Sequence, residues 1–526
     1  MKRMLALVLC VALLLCGCSG GAKNALGFSG IVKFSDMTYT RPDLTAAEAL
    51  YLEALEAANG GADVDEVLDK IWDFYDAYDL CMSSYDLAYI HYQSDLSDFY
   101  WQTEYEYCAE KTPMLDLYLE ELYCGLGATP LRAELEEEYF GEGWFEYYDD
   151  GGIYNEELVA LMEQEQALVS EYYDRIAQAG DYDTAEGYYA DHTETLADLL
   201  AELVILRQEL AAWAGYDSYT DFAWDYYYER DYTVRQADGY LAAIRQELVP
   251  LYRRVNAMDV WHFAQEACDE QTVYGYVERT AKAMGGVTWE AFRLMEQAEL
   301  YDISASPNKS GISFEVYLTE YYEPFIMVSG TGSRYDCLTF AHEFGHFVND
   351  YAAAGSYAGI DVMEVFSQGM EYLSLCGTDA EYGFVEMKLA DSLTVYVEQA
   401  AYAEFERKIY ALPAHLVTGE KLLSVYEQVC RSYGFDSMEW DPRDMITVPH
   451  FYSNPMYIIS YVVSNDAAMQ FYQMELDTPG AGKTAYENSL DTEETCFMAF
   501  LSESGLQSPF DRIADVRTLL EQVFAD

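Results

Sequence analysis

Two of the seven histidines in this 526-residue chain stand four positions apart in His342-Glu-Phe-Gly-His346. Four residues is just over one helical turn, so both imidazoles project from one face and can hold a single Zn²⁺. Glu343 lies beside them, placed to take a proton from an attacking water. With histidine this rare, an H-E-x-x-H string arising by accident has odds on the order of one in a hundred. His91, His192, His262 and His415 have no ligand spacing and read as surface or core residues. A catalytic zinc takes a third protein ligand and keeps one position open. A third histidine at the H-E-x-x-H-x-x-G-x-x-H spacing would fall at position 352, which is Ala352. The alternative is a carboxylate from a following helix, and VMEVFSQGMEY (362–372) offers Glu364 and Glu371. Glu364 follows His346 by a helix end, a turn and a return helix. Asp361 and Glu364 also have capping-box spacing, so Glu364 reads equally as a helix cap. Spacing alone leaves both readings open.

The elements that must carry these residues are mostly helical. LTFAHEFGHFVNDYAAAG has helical periodicity, with Asp336 as its expected N-cap and Gly355 as its stop. Asp361 is the expected cap of the next helix. Residues 45–59, 156–179 and 195–214 are further amphipathic runs, the first opened by Thr45 and each closed by a glycine. Ile312, Phe314, Val316 and Leu318 alternate with more polar neighbours, which is strand period. Pro324 is expected to break that strand, with FIMVS as a second one whose edge can pair with an extended peptide. Pro455 after Asn454 is expected to start a helix that puts Tyr457 and Tyr461 on one face, with His450 in the loop before it. By themselves, two tyrosines at that spacing in a chain with 50 of them read as core packing.

Composition bounds the partners. The chain has 93 acidic against 29 basic residues, a formal charge of −64, which argues against nucleic acid and against docking on anionic lipid. Solubility through mutual repulsion is the simplest meaning of that charge, and a preference for cationic substrates the sharper one. Apolar residues make up 51%, so the chain can bury a large core. At the N-terminus, Lys2 and Arg3 precede about a dozen apolar residues, too few to span a bilayer comfortably, which is the pattern of an export signal. LCGC at its end resembles a bacterial lipoprotein signal and makes Cys18 the expected lipid anchor, followed by a short SGGAKN tether. Eight further cysteines are scattered without a C-x-x-C pair, and their pairing is not legible.

HEFGH followed by D-x-x-E-x-x-S-Q-x-x-E resembles the oligoendopeptidase F and thimet oligopeptidase family of zinc metallopeptidases. PFIMVSGTGSRYDCLTFAHEFGH, RQELAAWAGYDSYTDFA (207–223) and PHFYSNPMYIISY (449–461) resemble further segments of that family. Together they cover roughly residues 205–465, and the N-terminal 200 residues carry no recognised motif. The resemblance implies His342, His346 and Glu364 as ligands of one Zn²⁺ per chain and Glu343 as general base. It implies Glu371 and Asp336 as outer carboxylates, and His450, Tyr457 and Tyr461 as contacts to substrate or transition state, with Tyr452 a weaker candidate. The implied fold is mainly α, a large multi-helix zincin with a small sheet beside the active-site helix and a deep substrate channel. The expected organisation is a signal peptide (1–18), an N-terminal helical region (19–205) and a catalytic region (206–526). The expected activity is hydrolysis of short unstructured peptides outside the cytoplasm, by a protein tied to the membrane only through its lipid. A related dipeptidyl carboxypeptidase or carboxypeptidase, and an inactive peptide-binding lipoprotein, are the rival readings; oligomeric state and specificity stay open.

Overall fold

The computed structural model describes residues 31–524 except 151–155, 182–183, 259, 354, 356–357, 377–381, 436–440 and 493. The signal sequence, Cys18 and the tether therefore lie outside the described residues.

Acidic residues start the N-terminal helices. Asp43, Asp63 and Asp98 each accept backbone N–H groups at the heads of α1 (Leu44–Gly60), α2 (Val64–Ser94) and α3 (Phe99–Gly127), satisfying donors that a first turn leaves free. The cap of α1 is Asp43, one residue before the helix begins, and not the expected Thr45. These helices enclose a core of their own, from Ala47 to Tyr148. The later part of α2, through Leu87 and Ile90, belongs to a second, larger core that runs on to Phe524. The long helices α4 (Glu156–Ala177) and α5 (Ala185–Trp213) join that larger core. The periodicity placed the start of α5 ten residues, nearly three turns, too late, because its polar first turns carry no apolar stripe.

The sheet has three strands, β1 (Tyr301–Asp302), β2 (Phe314–Leu318) and β3 (Glu323–Met327), in the order β1-β3-β2. β3 pairs parallel with β1 and antiparallel with β2, with Tyr317 opposite Pro324. Pro324 thus lies inside a strand. β3 is buried along its whole length and central, so FIMVS has no open edge. The edges of the sheet are the outer sides of β1 and β2.

Against the sheet lies α6 (Asp336–Ala353), which carries HEFGH; α7 (Ile360–Ser374) packs on α6, and α9 (Ile459–Asp477) packs on α7. Between α7 and α9 in the chain comes α8 (Tyr382–Thr394). The fold is mainly α with a small sheet beside the HEFGH helix, as expected. No helix among the described residues is long and apolar enough to cross a membrane. All eight described cysteines are free thiols.

Candidate active site

The middle glycine of HEFGH sets the distance between the two helices that matter. A Cβ on Gly345 would stand 2.5 Å from the carbonyl oxygen of Phe366 and 2.5 Å from Cα of Ser367. Only a residue without a side chain lets α6 and α7 cross backbone to backbone. That crossing brings Glu364 to the two histidines. Ligand atoms of His342, His346 and Glu364 lie within 4.8 Å of one another, the one such group of three among the described residues. Nε2 of His342 stands 3.5 Å from one Glu364 oxygen and Nε2 of His346 stands 3.8 Å from the other. These separations are too long for hydrogen bonds. They suit groups arranged round a common ion, since tetrahedral ligands about 2.1 Å from zinc are about 3.4 Å apart. The donor set of two imidazoles and a carboxylate is that of a catalytic zinc, so the residues present fit the metal.

Burial dominates the electrostatics of these groups. Glu364 is 1% exposed, and burial raises its carboxyl above the usual range despite hydroxyl bonds from Tyr457 (2.6 Å) and Ser367 (2.9 Å). Burial pushes Glu343 up to about 7. His342 is driven up to about 9: burial opposes the charge, but the Glu371 hydrogen bond and the surrounding carboxylates outweigh it. His346, buried beside it, is held well below its usual value.

Glu371 accepts from Nδ1 of His342 at 2.9 Å, which turns Nε2 towards Glu364. Its other oxygen meets Lys388 of α8 at 2.8 Å, and Lys388 also pairs with Asp391, which accepts from the Tyr335 hydroxyl at 2.7 Å. Although burial works against its charge, Lys388 and His342 hold Glu371 below the usual carboxyl range. Asp336 has a different task. Its carboxylate accepts from the backbone N–H groups of Thr331, Gly332 and Ser333 and from the Thr331 hydroxyl. It therefore shapes the Gly-Thr turn before α6, and the outer carboxylate on His342 is Glu371.

Asp361 does not cap α7. The helix begins at Ile360 after Gly359, with no side-chain cap, and Asp361 pairs with Arg230 at 3.2 Å. The capping-box reading of Glu364 falls with it, since Glu364 turns to the histidines and Tyr457. Arg230 is a residue that sequence reasoning missed. Its guanidinium lies 4.4 Å from the ring centroids of both Trp224 and Tyr228. It donates to the carbonyl of Met456 (3.0 Å) and to the Ser460 hydroxyl (2.9 Å). Met456 has φ +67°, its N–H is taken by buried Glu406, and the next residue is Tyr457. A ring of contacts thus runs from Asp361 through α7 to Glu364, across to Tyr457, and back through Met456 and Arg230.

Pro455 starts no helix. A single turn covers His450–Ser453, and α9 begins only at Ile459. Tyr457 precedes α9 and Tyr461 lies within it, yet their rings are 5.2 Å apart and His450 joins them. Nε2 of His450 stands 3.2 Å from the Tyr461 hydroxyl. Burial lowers His450 to about 4 and raises both tyrosines far above theirs, so all three are neutral hydrogen-bonding groups near pH 7. Tyr452 belongs to the core: its hydroxyl donates to the Leu196 carbonyl and its ring stacks on Tyr172 at 3.8 Å. The first residue of RQELAAW, Arg207, is fully buried and donates to the carbonyls of Phe451 and Tyr452. One motif therefore clamps the turn that presents His450 in another.

Residues 34–149 match the Peptidase M3 N-terminal domain, a stretch in which no motif stands out by eye. Three solved structures share the fold over nearly the whole chain. One is described as an oligoendopeptidase F, at 21% identity and a TM-score of 0.80, covering 94% of this chain and 99% of that one. A second, described as an oligoendopeptidase F from Bacillus anthracis str. Ames, has 20% identity and a TM-score of 0.78, with 95% and 99% covered. The third, PZ peptidase A with an inhibitor, has 18% identity and a TM-score of 0.80, with 93% and 99% covered. At these identities the likeness establishes the fold. No curated protein matches the sequence.

Proposed function

On the premise that this chain belongs with the M3-type oligoendopeptidases, whose N-terminal domain and fold it carries, we propose that it is a zinc-dependent endopeptidase acting on short unstructured peptides. The observation that carries the reading is the convergence of His342, His346 and Glu364 beside Glu343, across a helix crossing that only Gly345 permits. His342, His346 and Glu364 would hold one Zn²⁺, which when bound supplies Lewis acidity to the attacking water and the peptide carbonyl. Glu343 takes the proton of that water and passes it to the departing amine; a carboxyl poised near neutrality suits both transfers. Tyr457 and His450, with Tyr461 behind them, present neutral donors to the negative charge that develops on the carbonyl oxygen. In the present arrangement the Tyr457 hydroxyl rests on Glu364, so engaging substrate requires it to exchange that acceptor for the oxyanion. Glu343 and Glu364 are 6% and 1% exposed, and a site this enclosed favours short, unfolded chains over folded proteins.

The test uses protein lacking residues 1–18 against a mixed peptide library, with and without a chelator, with products read by mass spectrometry. Internal cleavage that stops on chelation and returns with zinc is the expected result. Release of terminal residues alone would make it a carboxypeptidase or dipeptidyl carboxypeptidase, and purification without zinc and without cleavage would make it a peptide-binding protein. We further propose that Cys18 carries the lipid and holds the protein outside the cytoplasm. Loss of membrane association and of lipid labelling in Cys18→Ala is the expected outcome.

A further inference from the structure

Between the N-terminal helices and the His450 turn lies a cavity of about 290 Å³ that the proposed reaction leaves unused. Its walls come from α2, α3, α4 and α5, and it ends on Ile312 and Pro449. Those two residues place it in the chain. Ile312 lies two residues before β2, the strand with an open side, and Pro449 is the neighbour of His450. A path of rings makes the same link: Tyr105 on the cavity wall is 5.5 Å from Tyr89, and Tyr89 is 4.7 Å from Phe314, the first residue of β2. The cavity therefore lies between the start of β2 and the turn that carries His450.

Its chemistry is specific. Five lining residues are tyrosines, among them Tyr92, Tyr105 and Tyr173, and none is basic. Two carboxylates, Glu106 and Asp174, stand at its exposed rim on different helices. Both accept from one atom, Nε2 of Gln102, at 2.9 and 3.4 Å, which holds the two acids near each other at the rim. Elsewhere the protein fills such surroundings with its own guanidinium groups. Arg41 lies 3.9 Å from the Tyr107 ring centroid and pairs with Glu104, and Arg230 sits between Trp224 and Tyr228 while paired with Asp361. Here five tyrosines and two neighbouring carboxylates line the cavity, and none of its lining residues is a cation of the chain's own. Cations on tyrosine faces beside carboxylates are favoured by both the ring quadrupole and the charge.

We infer that this cavity is a subsite for a cationic group of the peptide substrate, an arginine or lysine side chain or the terminal ammonium, bound at a distance from the scissile bond. The inference rests on the peptidase reading, and its test separates the two. Four versions of one fluorogenic peptide are compared: arginine or glutamine at the position nearest one end, each with a free or an acetylated N-terminus. The protein variants are Glu106→Gln/Asp174→Asn and, as a control for the general negative field, Glu137→Gln/Glu138→Gln on the exposed surface.

The Glu106/Asp174 variant is expected to lower kcat/KM for the cationic peptides about tenfold, through KM, and to leave the neutral acetylated glutamine peptide unchanged. Arginine dependence identifies the side chain as the bound group; dependence on the free terminus identifies the ammonium. An equal drop for the neutral peptide, an equal drop in the control variant, or no drop at all overturns the inference. Binding of the same peptides, followed by fluorescence anisotropy, gives the same comparison without cleavage. Failure of hydrolysis in every protein, with the charge-dependent binding intact, would sink the peptidase reading alone.

Discussion

Two kinds of buried carboxylate can be compared between the two halves of the molecule. In the half that carries HEFGH, Asp361 meets Arg230, Glu371 meets Lys388 and His342, and Asp336 collects three backbone N–H groups, while burial pushes Glu343 up to about 7 and Glu406 up to about 8. In the N-terminal core Asp116 receives the Tyr78 hydroxyl, and among the described residues no basic side chain reaches it. Burial pushes Asp116 up to about 8, and burial with the charge of Glu320 pushes Asp79 up to about 7. A buried acid with a cation or several N–H groups keeps its charge and orients what it touches. An acid left to burial takes up a proton and acts as a neutral polar group. The first kind orients what surrounds it; the second carries a proton, which in Glu343 serves the proposed site and in Asp116 makes stability depend on pH.

The largest test of that division is Glu343→Gln, which keeps zinc content and shape but removes the proton carrier. Peptide hydrolysis is expected to fall by about 10³-fold or more, with bound zinc unchanged by metal analysis. Undiminished cleavage would end the mechanism. Next come the groups proposed to hold the metal and its nearest imidazole. Glu364→Ala is expected to lose most zinc affinity, whereas Glu371→Ala weakens it by about 10–100-fold, read by competition with a chelating dye. Equal losses would mean that Glu371 and Glu364 are not distinct in role.

Arg230 sharpens the comparison because it touches no ligand atom. Arg230→Lys is expected to lower kcat by about 10–100-fold through misplacement of Tyr457, while KM and zinc affinity stay near those of the parent. A parallel loss of zinc would place its effect on Glu364 instead. The smallest effect belongs to the other kind of acid. Asp116 in the folded protein holds a proton that the unfolded chain, with a value of about 3.9, releases. The stability from that proton is complete at low pH and is lost as pH rises from about 4 towards about 8. Asp116→Asn is therefore expected to leave Tm unchanged near pH 4 and to raise it by about 2–4 °C at pH 9, by thermal scanning.

Much of the site was legible because its parts are periodic or close in the chain. His342 and His346 lie on one helix face, and the return helix that carries Glu364 and Glu371 follows directly. What escaped was the set of contacts made across long separations. Arg230 lies 131 residues from Asp361, and nothing in YYERDYT distinguishes its arginine from a surface one. Position within a sheet is likewise a property of neighbours: FIMVS is apolar whether central or at an edge, and pairing on both sides made it central. The turn at Met456 was hidden because a positive φ at a non-glycine residue has no sequence mark; Glu406 and Arg230 hold it from outside. The family match in residues 34–149 lies where helical periodicity is plain and chemistry is absent, so reading by motif found nothing there.

Gly345 carries a mechanical consequence. Because α6 and α7 touch through main chain, the size of the ligand triangle is gauged by the closest approach of two backbones, with no deformable side chain between them. The crossing works as a pivot without slack. Drift in the surrounding apolar residues can repack either helix on its outer side and leave the gauge unaltered. A single methyl group at the pivot, as in Gly345→Ala, would prise the two arms apart and register first as lost metal, well before the protein unfolds.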